Sequence, residues 1–261
     1  MKDKKGLLIG ILLLIILGLI GYIALDKMFL EKKATAETIK KNSNDNININ
    51  LNAFYQISDT LNQFDAAFGD VNSTYFGYIY KQDKLLAEKF DKTAALYLAI
   101  HSDLTSPKTT PYIIGTKVKN RFEKIFGKQL AYTPGNIPAG NSYNITYDPN
   151  STNYVYYYQN TKNDYSPEYL THTISTEIKD DKIIVTRKAY YVEYANNGGG
   201  NATIYTDSGK SVKVGDLKLR NNVLNEKEVI DKYGSKLKTF EYTFILKTED
   251  DYSFYSIKKT K

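Results

Sequence analysis

No cysteine occurs in the 261 residues, and tryptophan is absent too. Without thiols the chain forms no disulfide, no thiolate zinc site and no lipid-modified N-terminal cysteine. A domain in an oxidising compartment would therefore depend on its apolar core alone. Histidine is limited to His101 and His172, which do not stand at helical spacing, so no metal site is expected. Arginine numbers three (Arg121, Arg187, Arg220) against 32 lysines, and Asn, Ile and Tyr are abundant. These abundant residues share A/T-rich codons, which points to a bacterial genome of low GC content. In so Asn-, Ser- and Thr-rich a chain, the Asn-x-Ser/Thr triplets at Asn72, Asn144, Asn150 and Asn201 arise by chance and carry no glycosylation reading. The net charge of +6 is too mild for a nucleic-acid partner, which calls for a clustered basic face.

What is present begins with a long uncharged run, Gly6 to Leu25, GLLIGILLLIILGLIGYIAL. A helix rises about 1.5 Å per residue, so 20 such residues span roughly 30 Å, the thickness of a bilayer's hydrocarbon core. Backbone groups in lipid must bond internally, which requires a helix. The run is longer than the apolar stretch of a cleaved signal peptide, and Tyr22-Ile23-Ala24 is a poor small-x-small cleavage site. An uncleaved anchor is therefore expected. Lys2, Lys4 and Lys5 precede it and Lys27, Lys32 and Lys33 follow it, so the positive-inside count is near a tie. The short leading tail and the long following domain favour the N-terminus inside and the domain outside. The start KKGLLIG resembles that of a type IV pilin, where Lys-Gly precedes a long apolar helix. That family's early Glu is missing, with Gly10 or Ile11 in its place, and nothing further is taken from the likeness.

The organisation expected is an N-terminal tail and anchor over 1–25, a stalk over 26–50, a helical part over 51–135 and a β-rich part over 136–261. Residues 51–261 are expected to form one joint domain. NSNDNININ at Asn42 to Asn50 is a polar break. Helical spacing then appears in three stripes: Leu51 to Phe68, Leu86 to Ile100, and Val118 to Leu130. From Asn141 the period becomes two. The charged turn Lys179-Asp180-Asp181-Lys182 separates the strands Leu170 to Ile178 and Ile183 to Tyr194, and further strands are expected at 203–205, 237–247 and 252–258. Asn225, Glu226 and Glu228 read as the start of a short helix that Gly234 ends. Helices first and antiparallel strands afterwards predict an α+β domain, helices packed on a twisted antiparallel sheet. In general architecture that resembles cystatin-like or NTF2-like folds.

Chemical motifs are few. Gly209-Lys210-Ser211 ends like a phosphate-binding loop, but Ile204 occupies the place of the required first glycine, and the residues read as a hairpin turn. Ser235-Lys236-Leu237-Lys238 matches Ser-x-x-Lys without the companion motifs and after a helix stop. Asp148 to Asn153 offers oxygens but lacks the glycine and terminal Glu of a calcium loop. No catalytic, cofactor-binding or metal residue is assigned. The least ordinary feature is tyrosine, 24 in all. Tyr154, Tyr156 and Tyr158 in one strand, with Tyr190, Tyr191 and Tyr194 in another, form a candidate binding surface, since a phenol joins apolar area to a polar tip. The sequence thus leads to a single-pass membrane-anchored protein whose extracytoplasmic domain binds a protein partner or an envelope polymer. The alternative is an envelope hydrolase or transferase with a site not visible in sequence.

Overall fold

The computed structural model describes residues 39–40, 51–70, 73–104, 112–138, 143–151, 155–160, 168–195, 200–248 and 251–261. The expected anchor, most of the expected stalk and Tyr154 lie outside these residues. Among the described residues no helix is long and apolar enough to cross a membrane. Contacts divide the chain into two units, 1–41 and 42–261. In the first, the described piece is a short extended segment, β1 (Ile39–Lys40).

The second unit is α+β. Helix α1 (Leu51–Gly69) buries Ala53, Ile57, Leu61, Phe64 and Phe68, one face of a 3.6-residue period. It stops at Gly69, where a Cβ would stand 3.2 Å from the Tyr169 ring. Helix α2 (Lys92–Leu104) follows Asp91, whose Oδ1 accepts the backbone N–H groups of Thr93 (3.0 Å) and Ala94 (2.8 Å). Ala94 to Ile100 are all buried, so α2 is apolar on every side. Helix α3 (Gly115–Phe126) buries Val118, Phe122, Ile125 and Phe126 and ends at Gly127, whose φ is 57°. Helix α4 (Glu226–Tyr233) is capped as expected: Asn225 Oδ1 accepts the Glu228 N–H at 3.3 Å.

Two of the expected helices are longer in sequence than in the fold. Residues 84–86 form strand β2 (Lys84–Leu86), Ala87–Lys89 make a 3₁₀ turn, and Phe90 is extended. Helix formation there loses because Leu85 and Leu86 pair with the last strand, and Asp91 starts the helix afresh. At the other end, the stripe predicted to reach Leu130 stops at the positive-φ glycine.

The large sheet runs β6 (Glu168–Lys179), β7 (Lys182–Tyr194), β10 (Lys238–Thr248), β11 (Asp251–Lys259), β2, with every pair antiparallel. The β6–β7 hairpin turns at the predicted charged residues, with Asp180 at φ 54°. A small separate sheet joins β3 (Tyr112–Ile114), β5 (Val155–Asn160) and β4 (Tyr143–Asp148). Strands β8 (Asn201–Tyr205) and β9 (Lys213–Lys218) extend the large sheet from β7. Along one edge of β7, residues Lys182–Ala189 pair with β10, and Tyr191–Tyr194 pair with β8. The two neighbours therefore part at Tyr190.

Successive strand residues face opposite sides. Ile183, Val185, Ala189 and Tyr191 face a core shared with α1, α2 and α3, where Phe64, Phe90, Phe126 and Phe254 pack with ring centroids 4.8 to 6.2 Å apart. Tyr190 and Val192 face a second core with Ala202, Ile204, Leu217, Val229 and Leu237. Both faces of this end of β7 are covered, one by Phe76, which meets Tyr191 edge-on, and the other by α4 with residues of β8 and β9.

Candidate functional site

The parting of β10 from β8 leaves a cleft of about 230 Å³ on the helix side of the sheet. Its floor is aromatic. Tyr80 and Tyr169 stack with centroids 4.3 Å apart, Tyr191 meets Tyr169 edge-on at 5.0 Å, and Phe240 meets Tyr80 edge-on at 5.1 Å. Lys81, Lys238 and Lys259 line it along with Thr206, Asp207 and Ser208 from the turn after β8. Tyr80 and Lys81 are placed by the 3₁₀ turn Tyr78–Lys81. That turn follows Gly77, which sits at φ 67° with its N–H donated to Phe68 O at 2.8 Å. Only glycine takes that backbone at no steric cost, so Gly77 aims the turn back over the end of α1.

Beneath the floor lies a polar network. The Asp65 carboxylate of α1 meets Arg187 Nη1 at 2.8 Å, accepts Thr171 Oγ1 at 2.7 Å and accepts the Tyr80 hydroxyl at 3.2 Å. The Tyr242 hydroxyl donates to Tyr80 at 3.2 Å. Burial pushes the Asp65 carboxyl up from its ordinary range, with Arg187, Thr171 and Tyr80 pulling the other way. Burial also works against the Arg187 charge, but Asp65 together with Tyr242, Tyr80 and Tyr169 more than offsets it and the guanidinium is held protonated. Desolvation raises the phenols of Tyr80, Tyr169 and Tyr242, and that of Tyr191 is pushed up to about 12, with Asp207 adding to the rise. The floor is therefore neutral and hydroxyl-bearing at physiological pH. It offers hydrogen bonds and ring faces, with no phenolate as a nucleophile or base.

Asp207 is committed to its own turn. Its carboxylate accepts the N–H groups of Ser211 (3.1 Å) and Val212 (2.8 Å). Burial raises its carboxyl, but those backbone donors, with the Gly209 N–H and the Ser211 side chain, together outweigh it and keep it ionised. Among the described residues, no group of three or more His, Asp or Glu is placed to hold a metal. His101 is buried at 3 % exposure with Nε2 3.8 Å from Asp70, which also accepts the Tyr97 hydroxyl at 3.4 Å. That group ties the end of α1 to α2 and lies outside the cleft lining. His172 stands at the surface with Nδ1 3.2 Å from Glu226.

The expected tyrosine surface is divided by the fold. Tyr190 is fully buried in the second core and Tyr191 is buried in the first, so the exposed role assigned to both is corrected. The reason is that β7 is covered on both faces, where an edge or one-sided strand would have left alternate residues free. Tyr191 does reach the cleft, as part of its wall. Tyr194 is half-buried against the second core. Tyr156 and Tyr158 belong to β5 of the small sheet, opposite Tyr147 and Ile145, and their side chains lie outside the described residues. Tyr154 lies outside them altogether.

Sequence reasoning missed Tyr80, Tyr169, Lys238, Phe240 and the Asp65–Arg187 pair. One signal was available. Arg187 stands at an inward position of the alternation Ile183, Val185, Ala189, and Asp65 interrupts the apolar stripe of α1 between Phe64 and Phe68. A charge at a core position in each of two elements invites a pairing. No protein-family model matches the chain, and no curated protein or solved structure is significantly similar to it.

Proposed function

We propose that this chain is a single-pass membrane protein of the bacterial envelope, anchored by Gly6 to Leu25 with its N-terminus inside. Its outer domain, similar in outline to cystatin-like or NTF2-like architectures, binds an envelope component through the cleft between β10 and β8. The apolar run supports the anchor. The cleft carries the binding role, since its four ring-bearing residues are edged by lysines and hydroxyls, as in a recognition surface where rigid aromatics supply contact area and polar groups supply orientation.

Two measurements test this. Protease added to intact cells should cleave the domain, whereas full protection until lysis would overturn the outward orientation. A photo-crosslinking residue at position 208, in the cleft lining, in intact cells should capture an envelope component. One at position 227, on the exposed face of α4 with Lys227 83 % exposed, should not. Equal capture at both positions would remove the cleft as the binding site.

A further inference from the structure

We infer that the cleft takes a phosphate group carried on a sugar or polyol body. This rests on the binding role proposed for the cleft and specifies the chemistry of its ligand. Lys81 arrives from the 3₁₀ turn, Lys238 from the first residue of β10 and Lys259 from the last residue of β11. Three separate chain segments thus each bring a lysine to the lining of one small volume. Lys259 shares its charge with Asp83, at 2.9 Å, a residue that is 90 % exposed. Among the described residues no carboxylate forms an ion pair with Lys81 or Lys238. Among the described lining residues the one carboxylate is Asp207, which stays ionised and offsets one lysine. With Lys259 paired to Asp83, Lys81 and Lys238 against Asp207 leave the lining an excess of one positive charge.

The kind of cation selects the kind of anion. Planar, two-pronged recognition of a carboxylate is the work of a guanidinium, and no arginine lines the cleft. Ammonium groups are compact point charges, and several of them approaching from different directions suit a tetrahedral oxyanion such as phosphate. The aromatic floor then needs an apolar ring or chain face to cover it. The Thr206 and Ser208 hydroxyls offer partners for hydroxyl groups on the same body. A cleft of about 230 Å³ is smaller than the ~300–1,000 Å³ typical of drug-sized ligands, so it seats one sugar- or polyol-phosphate unit.

The test is calorimetric titration of the detergent-solubilised full chain with glucose 6-phosphate, inorganic phosphate and glucose. Glucose 6-phosphate should bind at least about tenfold more tightly than either of the other two, a difference of ~1.4 kcal/mol. Its binding should weaken as salt shortens the Debye length from about 10 Å at 0.1 M to about 3 Å at 1 M. The double substitution Lys81→Glu/Lys238→Glu should abolish it with thermal unfolding unchanged, while Lys227→Glu leaves it intact. Glucose binding as tightly as glucose 6-phosphate, insensitive to the double substitution, would overturn the anion while keeping the cleft as a binding site. Inorganic phosphate binding as tightly as glucose 6-phosphate would overturn the sugar or polyol body, and no heat from any of the three would overturn the inference outright. Crosslinking at position 208, which leaves the three lysines in place, judges the underlying binding role separately.

Discussion

Replacing Arg187 with Leu would leave the Asp65 carboxylate under the cleft without its cation. Arg187 is 7 % exposed and meets Asp65 at 2.8 Å, so the pair is largely withdrawn from water. Removing one partner of such a pair costs about 3–5 kcal/mol, because the remaining charge stays desolvated. Thr171 and Tyr80 still donate to Asp65, at 2.7 and 3.2 Å, and the carboxylate keeps some contact with water. The lower end, about 3 kcal/mol, is therefore expected. For a domain of this size that is a fall in melting temperature of roughly 6–12 °C, at ~2–4 °C per kcal/mol. Near-ultraviolet circular dichroism of the solubilised full chain, which reports the buried tyrosines, measures it. The double variant Asp65→Leu/Arg187→Met should recover most of the loss, since an apolar pair of similar volume needs no compensation.

Acidity supplies an independent check. In the native fold burial raises the Asp65 carboxyl above its unfolded value. Its contribution is thus fully present below the unfolded pKa and lost as pH rises through the folded one. Without Arg187 the rise is larger, so the deficit of Arg187→Leu should shrink as pH is lowered from 7 towards 5. A loss below about 1 kcal/mol, the size of an exposed ion pair, or a double variant as unstable as the two singles added together, would refute the buried-pair account.

Three further outcomes are expected. Tyr190→Ala should cost about 3–5 kcal/mol by emptying the centre of the second core, measured as a drop in melting temperature; a change within ~0.5 kcal/mol, typical of surface sites, would mean Tyr190 is not enclosed. Gly215→Ala should cost about 1–3 kcal/mol, because a Cβ there overlaps the Tyr233 ring that ties α4 to β9; the pair Gly215→Ala/Tyr233→Ala, with the overlap relieved, should lose less than the two singles summed. Asp207→Ala should destabilise the turn at the cleft and raise amide hydrogen exchange at Ser211 and Val212. The Asp207 carboxyl is depressed in the fold, so its contribution exists above the unfolded pKa and disappears as pH falls through the folded one. The difference between wild type and variant should therefore vanish in acid.

Local signals carried much of the secondary structure. Asn225 capping α4, the charged turn between β6 and β7 and the apolar stripe of α1 were all legible, because each is decided by neighbours within a few residues. Leu86 was not, since its helical spacing is overruled by pairing with Ser256. The candidate site was illegible for the same reason on a larger scale. Tyr80, Tyr169, Lys238 and Lys259 come from distant parts of the chain, and the one motif match among them, Ser-x-x-Lys ending at Lys238, lacks its companion motifs. Tyrosine-rich strands were visible, but whether a ring faces water depends on what covers the sheet.

By itself the sequence determined the long apolar run and the exclusion of disulfides and thiolate metal sites. It also determined the α+β class, since composition and periodicity are properties of the chain read locally. Tertiary structure alone decided that β7 is covered on both faces, that Asp65 meets Arg187, and that β10 and β8 part at Tyr190 to open a lysine-edged cleft. Those outcomes depend on contacts between residues as much as 170 positions apart, such as Tyr80 with Tyr242 and Leu86 with Ser256. No local pattern encodes such contacts, because their free energy appears only when the segments meet.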